Sequence, residues 1–137
     1  MIVADTGALL ALIDADDRHH QTLRRLFRAA PEQWVVPWAV LPEVDYLVAR
    51  HLGPRVELAF LEDLAGGRYR VEWGDDHDLP RARELCRRHA ALAPGLVDGV
   101  VMAVAERLRA EAIATLDLRH FAAVTLRVPV RLLPRDA

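Results

Sequence analysis

A chain of 137 residues, 53% of them hydrophobic and 28% charged, can bury a sizeable core and is expected to form a single domain over residues 1–137, which excludes disorder along its whole length. Its net charge of −2 excludes a protein covered by one broad basic surface, although all its Lys/Arg-type residues are Arg, the better fork for a phosphate. The lone cysteine, Cys86, excludes an internal disulfide and a Cys-cluster zinc site, and no apolar run reaches the ~18 residues that span a membrane.

The opening MIVADTGALLALID carries Asp5 and lacks a basic leader, so it is read as the first structural elements and a cytoplasmic location is expected. Met1–Ala4 reads as a strand and Thr6–Ile13 as a helix. Asp16–Ala30 reads as a second helix with Leu23, Leu26 and Phe27 on its apolar stripe. Trp34–Val36 is a buried strand. Ala39–His51 and Arg55–Leu64 are helices separated by Gly53-Pro54. Tyr69–Trp73 alternates like a strand, and a helix follows from about Leu79 to His89. After the turn Ala93-Pro94-Gly95 comes a long apolar helix, Leu96–Arg109. Ala112–Leu116 is a strand, Leu118–Phe121 a turn and Val128–Leu133 the last strand. The alternation predicts an α/β fold with a mainly parallel sheet.

Most acids, among them Glu57, Glu62, Asp63, Glu84, Glu106 and Glu111, fall on predicted solvated helix faces. Four others do not. Asp5 ends an apolar strand, where ligands bind in parallel sheets; its structural alternative is a helix cap, which Thr6 can supply alone. Glu43 is bracketed by Val40, Val44, Leu47 and Val48, which predicts half-burial, although a first-turn acid also suits the helix dipole. Asp45, two residues on, faces elsewhere and is expected to be solvated or paired with Arg. Asp98 is the single ionisable residue between Ala90 and Ala105, so its burial calls for a partner, a metal or a cap. Asp117 repeats the geometry of Asp5 at a second strand end, or else forms a turn. Thr115 beside it can orient a carboxylate or a water.

Several carboxylates at one sheet edge repel each other. A hard divalent cation, Mg²⁺ or Mn²⁺, removes that repulsion and suits phosphodiester hydrolysis.

The ordered segments DTGALLALID, PEVDYLV, LVDGVVMAVAERL and IATLDLRHF resemble the PIN domain, and in particular the VapC-type toxins of bacterial toxin–antitoxin pairs. The resemblance covers nearly the whole chain. It implies a three-layer fold with a central mainly parallel sheet flanked by helices. It implies that Asp5 and Asp98 bind Mg²⁺ (or Mn²⁺), that Glu43 binds the metal or its water, that Asp117 completes the pocket and that Thr6 assists Asp5. Gly99 stands where the family has a slightly larger residue. Also implied are endoribonuclease activity on structured RNA such as tRNA or rRNA, a cognate antitoxin that inserts a helix or tail near the site, and a homodimer. Arg18, His19, His20, Arg119 and His120 are then candidates for phosphate contact, and Trp38 for a base contact.

Two other readings compete. A phosphatase acting on a small phosphoester would need a phosphate cradle, and no Gly-rich anion loop is present. A catalytically inactive binding module would lose little on Asp98→Asn.

Overall fold

Parallel strands are buried on both faces and read as unbroken apolar runs. In the computed structural model, which describes all 137 residues, β1 (Ile2–Ala4), β2 (Trp34–Pro37) and β4 (Ala112–Ala114) are buried at every position. With β3 (Arg70–Glu72) and β5 (Arg131–Leu133) they form one five-stranded sheet in the order β3-β2-β1-β4-β5. Every neighbouring pair is parallel, so the expected mainly parallel sheet is wholly so. Seven helices flank it: α1 (Thr6–Ile13), α2 (His20–Ala29), α3 (Leu41–Leu52), α4 (Pro54–Ala65), α5 (Asp78–Arg88), α6 (Gly95–Arg107) and α7 (Leu118–Phe121). The result is the three-layer α/β architecture. No helix is long and apolar enough to cross a membrane.

The strand order positions the site. From β1 the chain builds outward through β2 and β3, then returns to lay β4 on the other side of β1. The connections therefore diverge between β1 and β4, and a crevice opens beyond their carboxyl ends.

Helix α6 is the central helix. Residues Gly99 to Glu106 are all buried, as its nearly uninterrupted apolar sequence requires, and it packs against α5 and β1. The contact with α5 is close. A Cβ at Gly99 would lie 3.0 Å from Cys86 Sγ and 3.1 and 3.2 Å from Ala82 Cβ and O, which is why no larger residue stands there. On α2, the buried His20, Leu23 and Phe27 follow helical spacing. Phe27 meets Trp34 edge-on at 5.5 Å and Tyr69 at 5.6 Å, so Trp34 belongs to the core.

Some expectations fail for local reasons. The second helix begins at His20 and not at Asp16, because Asp14 and Asp17 side chains accept the N–H groups of Asp16 (3.0 Å) and His19 (2.7 Å) and hold a turn. Leu118–Phe121 is a one-turn helix capped by Asp117, and the last strand spans Arg131–Leu133. Glu106 is buried rather than solvated. It accepts two hydrogen bonds from Arg81, at 2.6 and 3.0 Å, and one from the Arg127 N–H at 2.7 Å.

Candidate active site

Asp5 is the first residue beyond β1, and Thr115 the first beyond β4. The strands are in register through Ala4 and Ala114, and the Asp5 N–H donates to the Ala114 carbonyl at 2.9 Å. This fixes the two side chains face to face, and Thr115 Oγ1 donates to Asp5 Oδ2 at 2.9 Å. Thr115 Oγ1 in turn accepts the Asp117 N–H at 3.0 Å, so one hydroxyl locks both acidic loops. Asp5 makes no side-chain cap to α1, and Asp98 lies beyond the cap of α6, within its first turn; capping explains neither acid.

Helix α6 delivers Asp98 to the same crevice. His120, on α7, joins the two loops: its Nδ1 lies 2.6 Å from Asp98 Oδ2 and 3.0 Å from Asp117 Oδ2. Asp117 Oδ1 accepts the His120 backbone N–H at 3.2 Å, so Asp117 also fills the structural role expected of a turn-forming acid. Ligand atoms of Asp98, Asp117 and His120 lie within 4.8 Å of one another.

Burial pushes the Asp5 carboxyl from its ordinary 3.8 up to about 6; the Asp98 and Asp117 charges add to this, while the Thr6 N–H and Thr115 hydroxyl oppose it. Burial also raises Asp98, against the pull of His120, and Asp117 and Glu43 push it further up. Glu43 thus acts on the site electrostatically, but it is exposed and not half-buried: Val44 and Val48 turn inward, and Glu43 faces away from them. Asp45 lies by Glu57 of α4 and raises the Glu57 carboxyl; its Oδ1 is buried without a hydrogen-bond partner, and no Arg pairs with it. Thr6 Oγ1 is buried beside Asp5 with no hydrogen-bond partner.

The remaining candidates separate. His20 is buried with Nδ1 2.9 Å from the Ala11 carbonyl. Arg18 and His19 line a cleft with Thr22, Thr115 and Arg135, beside the acids. Arg119 is exposed, whereas His120 is held by Asp98 and Asp117. Trp38 is half-buried with the Gly74 backbone against its indole, so it is packed rather than presented as a platform. The sequence offers His120 for phosphate contact and not as a partner of the acids; the signal for that is the three-residue offset from Asp117, which becomes proximity once Leu118–Phe121 is helical.

The donors suit a hard cation. Asp5, Asp98 and Asp117 offer carboxylate oxygens and His120 a ring nitrogen, and the Asp5 carboxyl is raised chiefly by its burial, with its like-charged neighbours adding to it.

The PIN domain family model matches residues 2–125. The chain belongs to the PIN-domain family. Among PIN-related proteins it is 33% identical, over 123 residues, to ribonuclease VapC26 of Mycobacterium tuberculosis, covering 90% of this chain and 91% of that protein. Of solved structures, VapC20 of Mycobacterium tuberculosis, a sarcin-ricin loop cleaving toxin, superposes with a TM-score of 0.78 at 26% identity, over 94% of this chain and 100% of that one. The DNA-bound VapBC complex of Salmonella typhimurium shares the fold with a TM-score of 0.74 at 20% identity, over 96% of each chain.

Proposed function

We propose that this PIN-domain protein, read as one nuclease domain over residues 1–137, is a Mg²⁺- or Mn²⁺-dependent endoribonuclease and the toxin of a toxin–antitoxin pair. The observation that carries this reading is that Thr115 ties Asp5 to the Asp117 backbone while His120 joins Asp117 to Asp98, so three acids gather where β1 and β4 end. The likeness to ribonuclease VapC26 supports RNA as the substrate.

Asp5, Asp98 and Asp117 would hold the metal, with Glu43 at the open side contacting it or its water. Bound there, a divalent ion lowers the pKa of a water and neutralises charge on the scissile phosphate. Thr115 fixes the Asp5 carboxylate and the Asp117 backbone together, and Thr6 stands beside Asp5. His120 holds Asp98 and Asp117 in one orientation. Arg18 and His19, on the adjoining cleft, are placed to meet RNA phosphates.

The VapBC complex and the FitAcB complex of Neisseria gonorrhoeae (TM-score 0.63, 18% identity, 93% of this chain and 96% of that one) are structural neighbours that support an antitoxin partner. A structured target such as tRNA or rRNA, a homodimer and a cytoplasmic location complete the proposal. The test is cleavage of total RNA by purified protein with Mg²⁺ or Mn²⁺, with EDTA, and by folded Asp98→Asn. Cleavage abolished by EDTA and by the substitution is expected. Cleavage that survives both would overturn the carboxylate mechanism.

A further inference from the structure

Helix α2, HQTLRRLFRA, contains no acid. Its outer face presents Arg24, Arg25 and Arg28, all exposed, around one shallow surface recess with Gln21. None of the three forms an ion pair, and what sets them apart from the other unpaired arginines is that they share one exposed recess on one helix. Arg25 and Arg28 are three apart, and Arg24 and Arg28 four apart, spacings at which like charges destabilise a helix. A genome bias toward Arg over Lys explains the residue type but not the missing acids. The cluster stands out further in a chain whose net charge is −2.

Its position suggests what the charge meets. Thr22 in the first turn of α2, with Arg18 and His19 just before it, lines the cleft that also contains Thr115. Thr115 is hydrogen-bonded to Asp5. The helix therefore leads away from the acidic crevice, and at ~1.5 Å per residue its arginines extend roughly 10 Å beyond Gln21. A cationic recess that begins at Gln21, next in sequence to the cleft-lining Thr22, suits a nucleic-acid backbone leaving the cleft.

We infer that the Arg24–Arg25–Arg28 face of α2 is an RNA-docking exosite that binds phosphates flanking the cleavage point without reading sequence. The inference rests on the ribonuclease reading for its substrate. It treats the ridge as separate from the chemistry, because none of its side chains reaches the carboxylates.

The test is binding of a fluorescent 20-residue oligouridylate in EDTA across 50–300 mM KCl, by wild type and by the triple variant Arg24→Gln, Arg25→Gln, Arg28→Gln. Each single-strand phosphate contact contributes ~0.7 to the slope of log K against log salt, so loss of three flattens the slope by about 2. A triple Arg→Lys variant should restore it. Cleavage of the dinucleotide UpA, too short to reach α2, should be unchanged in the Gln variant and abolished in Asp98→Asn. An unchanged salt slope overturns the exosite, as does loss of UpA cleavage in the Gln variant, which would tie the ridge to the fold or the chemistry. If wild type cuts no RNA but the slope still flattens, the exosite stands and the ribonuclease reading fails.

Discussion

Replacing Asp5 by Asn should abolish cleavage and yet stabilise the metal-free protein. The carboxyl is almost wholly buried, and its pKa stands at about 6 against an ordinary 3.8. Between those values the native state holds the proton more firmly than the unfolded chain, so the stability contributed by this group falls as pH rises through the window. Above pH 6 the penalty is complete. Two pKa units correspond to ~3 kcal/mol as an upper bound, and relaxation around the charge lowers the expected gain to about 1–3 kcal/mol. Asn keeps an acceptor for the Thr115 hydroxyl and removes the repulsion from Asp98 and Asp117. For a domain of this size the gain is roughly 3–10 °C in Tm. The assay is thermal unfolding of both proteins in EDTA from pH 4 to pH 8, followed by titration with Mg²⁺. The variant's lead should be full at pH 7.5 and close at pH 4. Mg²⁺ should narrow it by stabilising wild type through binding. A variant no more stable than wild type at pH 7.5, or a lead that persists at pH 4, would refute the reasoning.

His120→Gln should raise the Mg²⁺ concentration for half-maximal cleavage by roughly ten-fold or more, since partners that orient ligands contribute on that scale; a Mg²⁺ titration of initial rates checks it. Gly99→Val should lower stability by about 1–3 kcal/mol in urea unfolding, because Ala82 backbone and Cβ leave the new side chain no room. Arg81→Ala strands the buried Glu106 carboxylate and should cost about 3–5 kcal/mol, read from the shift in urea midpoint. For Glu106, burial alone would raise the carboxyl, but Arg81 and the Arg127 N–H outweigh it and hold it low. The stability it contributes is therefore present above pH 4.5, its unfolded value, and is lost as pH falls through the folded one, the opposite sense to Asp5; the pH profile of Arg81→Ala should lack that acid-side loss.

The sheet was legible because buried parallel strands are short apolar runs, and IVA, WVVP and AIA admit few other readings. Asp5, Asp98 and Asp117 were legible for the complementary reason: each interrupts or ends an apolar run where solvation alone does not account for it. Glu106 was misread because its polar neighbours in ERLRAE imitate a solvated helix end, while burial there depends on Arg81, 25 residues away in sequence. Glu43 was misplaced by about one helical step: apolar neighbours on both sides bracket a face without saying on which side of its edge a residue falls. The start of α2 was missed because two aspartates that suit a helix N-terminus instead bond to the backbone two residues on.

His120 exposes a more general asymmetry. A buried charge announces itself in sequence through the apolar residues around it, but the group that answers the charge does not, since it sits on whatever element the fold brings near. Here that element is a single helical turn, and a turn and a short helix share composition. The Asp117 side chain that caps α7 also faces His120 Nδ1, 3.0 Å away. Local capping thus sets the imidazole that holds Asp98. Breaking the cap should loosen Asp98 even though no contact to Asp98 is removed directly. Asp117→Ala should therefore weaken Mg²⁺ binding more than the loss of one carboxylate ligand alone. Asp117→Asn keeps a capping oxygen and should retain the orientation of His120. Isothermal titration of both variants with Mg²⁺ separates the effects, and equal affinities would show that the cap contributes nothing to the site.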